Sequence, residues 1–95
     1  MPEMRFHIRW PDGQDEHCYS PSLVVKDYFV PGETYALADF LERSRTALTI
    51  ASDRVKAKFG FACSRAAAQL ARIEAECRRY ADHADASVRV VSFEE

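Results

Sequence analysis

Three kinds of residue in this chain could do chemistry: cysteines, histidines and arginines. Cys63 stands beside Ser64 at the start of a helical pattern. The partial positive charge of free N–H groups at a helix start favours a thiolate, which would suit a nucleophile or redox sensor. A nucleophile also needs a base and a group that orients the base, and the sequence links neither to Cys63. The plainer reading is a small apolar residue at a helix corner. His7 and His17 fall opposite each other if residues 4–10 and 14–20 form a hairpin. With Asp15 as third ligand they are the candidate metal site, because opposed imidazoles on a hairpin come within reach of one ion. Exposed histidine pairs without a metal are commoner, and the expectation is no metal and no cofactor. Arg43 and Arg45 on a later helix, together with Arg5 and Arg9, could bind a small anion. Solvated or ion-paired arginines are the plainer reading.

The elements that would position these residues follow from periodicity. Met4, Phe6, Ile8 and Trp10 alternate with Arg5, His7 and Arg9, which is a strand with one buried face. Pro11-Asp12-Gly13 signals a type I turn closed by a bulge at Gly13. The return strand, 14–20, then sets Arg9 opposite Asp15, His7 opposite His17 and Phe6 opposite Cys18. This register puts Cys18 on the core face and both histidines on the other. Ser20-Pro21 reads as a helix start, with Ser20 as cap, for a short helix over 21–29. Pro31-Gly32 ends it.

Two long helices follow. The first, 36–59, has its stripe at Leu37, Phe40, Leu41, Ser44, Leu48, Ala51, Val55 and Phe59, with room for a kink near Thr49–Ser52. The second, 64–82, has its stripe at Ala66, Leu70, Ile73, Cys77 and Tyr80–Ala81. Gly60 supplies the left-handed residue that ends the first helix, with Phe61 making the usual apolar contact after it. The short link makes the pair an antiparallel hairpin. His83 sits near a helix end, where positive charge is favourable. Residues 87–93 form a β-branched run and read as a third strand.

The predicted architecture is one α+β domain of two layers. A three-stranded sheet of order 2-1-3 is covered on one face by the helical hairpin. In the last strand Val88 and Val90 point one way, and Val91 and Phe93 the other. Val91 and Phe93, with Arg5, His7, Arg9, His17 and Tyr19, would then form an interface on the uncovered face. The last strand would also be a sheet edge open to another chain, most simply in a two-fold dimer.

Bulk properties exclude several classes. The 95 residues carry a net charge of -2 and no basic run, unlike a nucleic-acid binder. No stretch reaches the ~20 apolar residues of a membrane span. Met1 to Arg5 mixes charges of both signs, unlike a secretory leader, so a cytoplasmic location is expected. Three widely spaced cysteines with no CxxC pair argue against a disulfide framework and a structural zinc site.

Read as a whole, the chain carries WPDG at Trp10–Gly13, CYSPS at Cys18–Ser22 and DYF-x-PG-x-x-Y from Asp27 to Tyr35. ASDRV follows at Ala51–Val55 and GFACS at Gly60–Ser64. In these motifs it resembles a small bacterial family described as nitrogen-starvation response proteins. Members of that family are encoded beside a nitrilase-like enzyme, a radical-SAM enzyme, a flavin-dependent oxidoreductase and an acetyltransferase-like protein. The resemblance implies a metabolic context, and it carries no catalytic residue over to this chain. Two functions fit. One is a non-enzymatic accessory or interaction protein of nitrogen-limited metabolism, partnered by a second copy or by a neighbouring-gene enzyme. The alternative is a small cysteine-based enzyme or sensor built on Cys63.

Overall fold

Alternation by two builds the first hairpin as the pattern requires. In the computed structural model, which describes residues 3–83 and 85–95, β1 spans Met4–Arg9 and β2 spans Asp15–Ser20. Met1 and Pro2, part of the leader argument above, lie outside the described residues. The turn closes through Gly13 N–H to Trp10 O at 2.9 Å, with Gly13 at φ 90°. That positive φ is why glycine stands there. The register pairs Arg9 with Asp15, His7 with His17 and Phe6 with Cys18, as the turn chemistry dictates. Phe6, Ile8 and Cys18 are fully buried on one face.

The crossing segment differs from the expected helix over 21–29. It is a single 3₁₀ helix, Leu23–Asp27, capped by Ser22 rather than Ser20. Ser22 Oγ accepts from Val24 N–H, while the Ser20 hydroxyl donates to Ser22 O at 2.7 Å. Two prolines fence the stretch and Val24-Val25 resists the α conformation, so one tight turn forms instead. Its C-terminal end drops Phe29 into the core, where the ring stacks on Phe6 and tilts on Phe40.

The sheet has four strands, in the order β2-β1-β4-β3, not three. The added strand β3, Thr34–Ala36, pairs antiparallel with Ser87–Arg89 of β4, which spans Ser87–Glu94. Three residues ahead of a helix leave almost no period-two signal, which is why β3 reads as a helix lead-in. The β4 strand also pairs antiparallel with β1, and the register slips between His7 and Ile8. Ile8 faces Val90, His7 faces Ser92 and Phe6 faces Phe93. Val91 is therefore the extra residue of a β-bulge. The bulge returns Phe93 to the same face as Phe6, where it packs against the core. The expected outward strip of Val91 plus Phe93 is thus wrong for Phe93. Simple alternation cannot register one inserted residue.

Helix α1, Leu37–Phe59, runs unbroken, and α2 spans Ser64–Arg79, ending three residues before the expected 82. Gly60 caps α1 at φ 86°. Phe59 and Phe61 do not join the core and are 54% and 68% exposed. Leu70 is half-buried at the core edge, whereas Ile73 is fully buried. Both helices lie on the face that holds Phe6, Ile8, Val88 and Val90. Glu16 holds the hairpin to α2. Trp10 Nε1–H donates to its carboxylate at 3.0 Å and Arg72 Nε–H at 2.9 Å. Among the described residues no helix is long and apolar enough to cross a membrane.

Candidate functional site

Three places carry the candidate residues, and they do not converge. On the uncovered sheet face His7 and His17 stack with ring centroids 4.4 Å apart and an interplanar angle of 21°. Each has its own carboxylate. His7 Nε2 lies 3.1 Å from Asp15 Oδ2, off the direction of a hydrogen bond, and His17 Nδ1 meets Glu94. Asp15 also accepts from Arg9 at 2.8 Å. That hydrogen bond, helped by His7, pulls its carboxyl down to about 2. Stacked rings present faces rather than lone pairs to each other. Among the described residues no group of three or more His, Cys, Asp or Glu side chains is arranged around an ion.

Tyr19 leaves the strip expected of it. Arg65 of α2 covers its ring at 3.8 Å, and its hydroxyl donates to Glu3 at 3.0 Å. Arg5 is exposed opposite Tyr19 and Glu94. The four arginines suggested for an anion site are split between layers. Arg9 is held by Asp15, Arg43 by Asp39 and the Tyr28 carbonyl, and Arg45 by Glu74.

Cys63 caps α2 without a side-chain hydrogen bond, and its N–H donates to Ser52 Oγ at 3.3 Å. It lines a shallow groove with Glu3, Tyr19, Pro21, Val55 and Phe59, none of them a histidine. His7 and His17 belong to the outer sheet face, so they are not gathered with the thiol. Burial pushes the Cys18 thiol well up and that of Cys77 up to about 11. Both stay protonated at neutral pH and are poor nucleophiles.

The third place was not anticipated. A groove of about 410 Å³ opens between the first turn of α1, the last turn of α2 and the turn that leads into β4. Leu37, Leu41, Cys77, Tyr80 and Ala86 give it apolar walls, and Arg45, Glu74, Arg78 and His83 lie around them. Small residues create the space: Ala36, Ala38, Ala81 and Ala86 leave volume that larger side chains would fill. The available signal was Leu37 and Leu41, four apart and beside the Phe40–Ser44 row, hence more apolar surface than one stripe needs.

With the fold and these sites described, the family follows from direct comparison. Residues 5–93 match the family described as "Nitrogen starvation-induced protein NitG". The chain belongs to this family. The match spans both faces of the sheet and the whole helical hairpin, so it covers the candidate residues above apart from the partners Glu3 and Glu94. No curated protein and no solved structure matches the chain. Membership in the NitG family ties the protein to the response to nitrogen limitation.

Proposed function

We propose that this NitG-family protein is a non-enzymatic accessory protein of nitrogen-limited metabolism, working in the cytoplasm by docking. The supporting observation is the uncovered side of β4. Its strand partner β3 reaches only Arg89, and the bonds of Val90 to Gly32 and Glu33 end the pairing on that side. Beyond them, Ser92–Glu94 pair with β1 alone among the described residues, and Val91 is the bulged residue before them. Such a half-open edge accepts another strand. The surface beside it carries Val91, Arg5, His7, Arg9 and His17. This is the mixture of large polar and apolar side chains that suits an interface rim and centre. A second copy is the simplest partner, because two β4 edges pair antiparallel about a two-fold axis. A neighbouring-gene enzyme is the other partner to which the family resemblance points.

Light scattering across micromolar concentrations tests the reading. The wild type should show twice the 10.8 kDa chain mass, and Val91→Glu should return it to a monomer. A wild-type monomer at every concentration removes self-docking. Unchanged capture of the neighbouring enzymes by Val91→Glu removes this edge as the docking surface.

A further inference from the structure

The groove at the open end of the helical hairpin faces a different part of the molecule from the β4 edge, and it has its own chemistry. Its volume, about 410 Å³, falls in the range of small-molecule sites. The walls at Leu37, Leu41, Cys77 and Ala86 offer no charge, so most of an occupant must be apolar. The charged residues around them are unequal. Glu74 takes Arg45 at 3.1 Å, so these two neutralise each other. Arg78 makes no side-chain hydrogen bond or ion pair with a described residue. His83 lies on the same lining, tilted against the Tyr80 ring. One uncommitted guanidinium and one imidazole therefore line the same apolar groove. A guanidinium fork matches a planar carboxylate in a two-bond geometry that an alcohol or amine cannot reproduce.

We propose that this groove binds an amphiphilic monocarboxylate, with the chain or ring on the Leu37–Leu41–Cys77 wall and the carboxylate on Arg78. The apolar body contributes affinity through burial, and Arg78 selects the charge. Tyr80 stacks on Trp10 at 6.2 Å, so filling the groove alters the surroundings of the chain's single tryptophan.

The test is a titration of the intact protein with octanoate, followed by Trp10 emission and by amide NMR shifts at Ala38 and Ala81. Octanol and octylamine serve as uncharged and cationic controls. Octanoate should saturate and bind at least about tenfold tighter than either control, the order expected of one charge-assisted bond. Arg78→Ala, an exposed change, should remove that preference while leaving the melting midpoint in place. Leu41→Trp should fill the groove and abolish the shifts. Failure to saturate at millimolar octanoate overturns the proposal. Equal binding of the three ligands, or an unchanged preference in Arg78→Ala, does so as well. A second copy seated in the groove would show as a drop in mass on Leu41→Trp, and that result also overturns it. None of these outcomes depends on whether the β4 edge docks.

Discussion

The two faces of the sheet share strands but not physics. On the inner face Phe6, Ile8, Cys18, Val88 and Val90 are fully buried against α1, α2 and the 3₁₀ crossing. On the outer face the intervening residues His7, Arg9, Asp15 and His17 answer one another in exposed or half-exposed polar pairs. Neighbours such as Phe6 and His7 stand one residue apart along the chain, yet the hydrophobic effect acts on the first and barely on the second. Stability is thus concentrated on one side, which leaves the other side free to change or to bind.

The sharpest way to break this comparison is to truncate two adjacent residues. Phe6→Ala removes a ring stacked on Phe29 and should cost about 3–5 kcal/mol in urea unfolding. Arg5→Ala, on the other side of Phe6 and exposed, should change stability by under ~0.5 kcal/mol, as surface substitutions do. Similar losses for the two would mean that the outer face holds the fold as well.

A middle-sized effect is expected where the inner cover turns its corner. Gly60 sits at φ 86°, and an added Cβ there would meet nothing within 4 Å. The cost of Gly60→Val is therefore conformational, on the order of 1–2 kcal/mol. A melting midpoint unchanged from wild type would show that the helical hairpin does not depend on a left-handed corner.

The smallest effect belongs to the outer face and depends on pH. Arg9, then His7, holds the Asp15 carboxyl at about 2, below its ordinary 3.8. A depressed folded value means that the carboxylate stabilises the fold fully above the unfolded value and loses that contribution as pH falls through about 2. At low salt, the slope of stability between these two values should be shallower in Asp15→Asn than in wild type. The difference should shrink as salt is added, because the pair is exposed. Identical acid profiles for the two proteins would remove the Arg9–Asp15 interaction from the account.

Legibility in the sequence divides along the same line. The hairpin register was readable because Pro11-Asp12-Gly13 admits few turns and alternation by two does the rest. The helices were readable from their 3.6-residue stripes, and Gly60 from its place after one. Features that break a period were not readable. The bulge at Val91 inserts one residue, and the phase of Phe93 then depends on pairing with β1, a long-range fact. The three-residue β3 exists only because β4 lies beside it. Glu16 occupies a core-facing position because it meets the indole N–H of Trp10 and the guanidinium of Arg72, from two other elements. The groove is an absence of bulk among four alanines, and apolar patterning does not report empty space.

The central claim is that the part of β4 beyond β3, Val91–Glu94, is a docking edge while the inner face of the sheet is closed. Amide hydrogen exchange at low and high protein concentration tests this most directly. The account predicts slower exchange at Val91–Glu94 as concentration rises, with exchange at Phe6 and Ile8 already slow and unaltered. Exchange at Val91–Glu94 that stays the same at every concentration would contradict it.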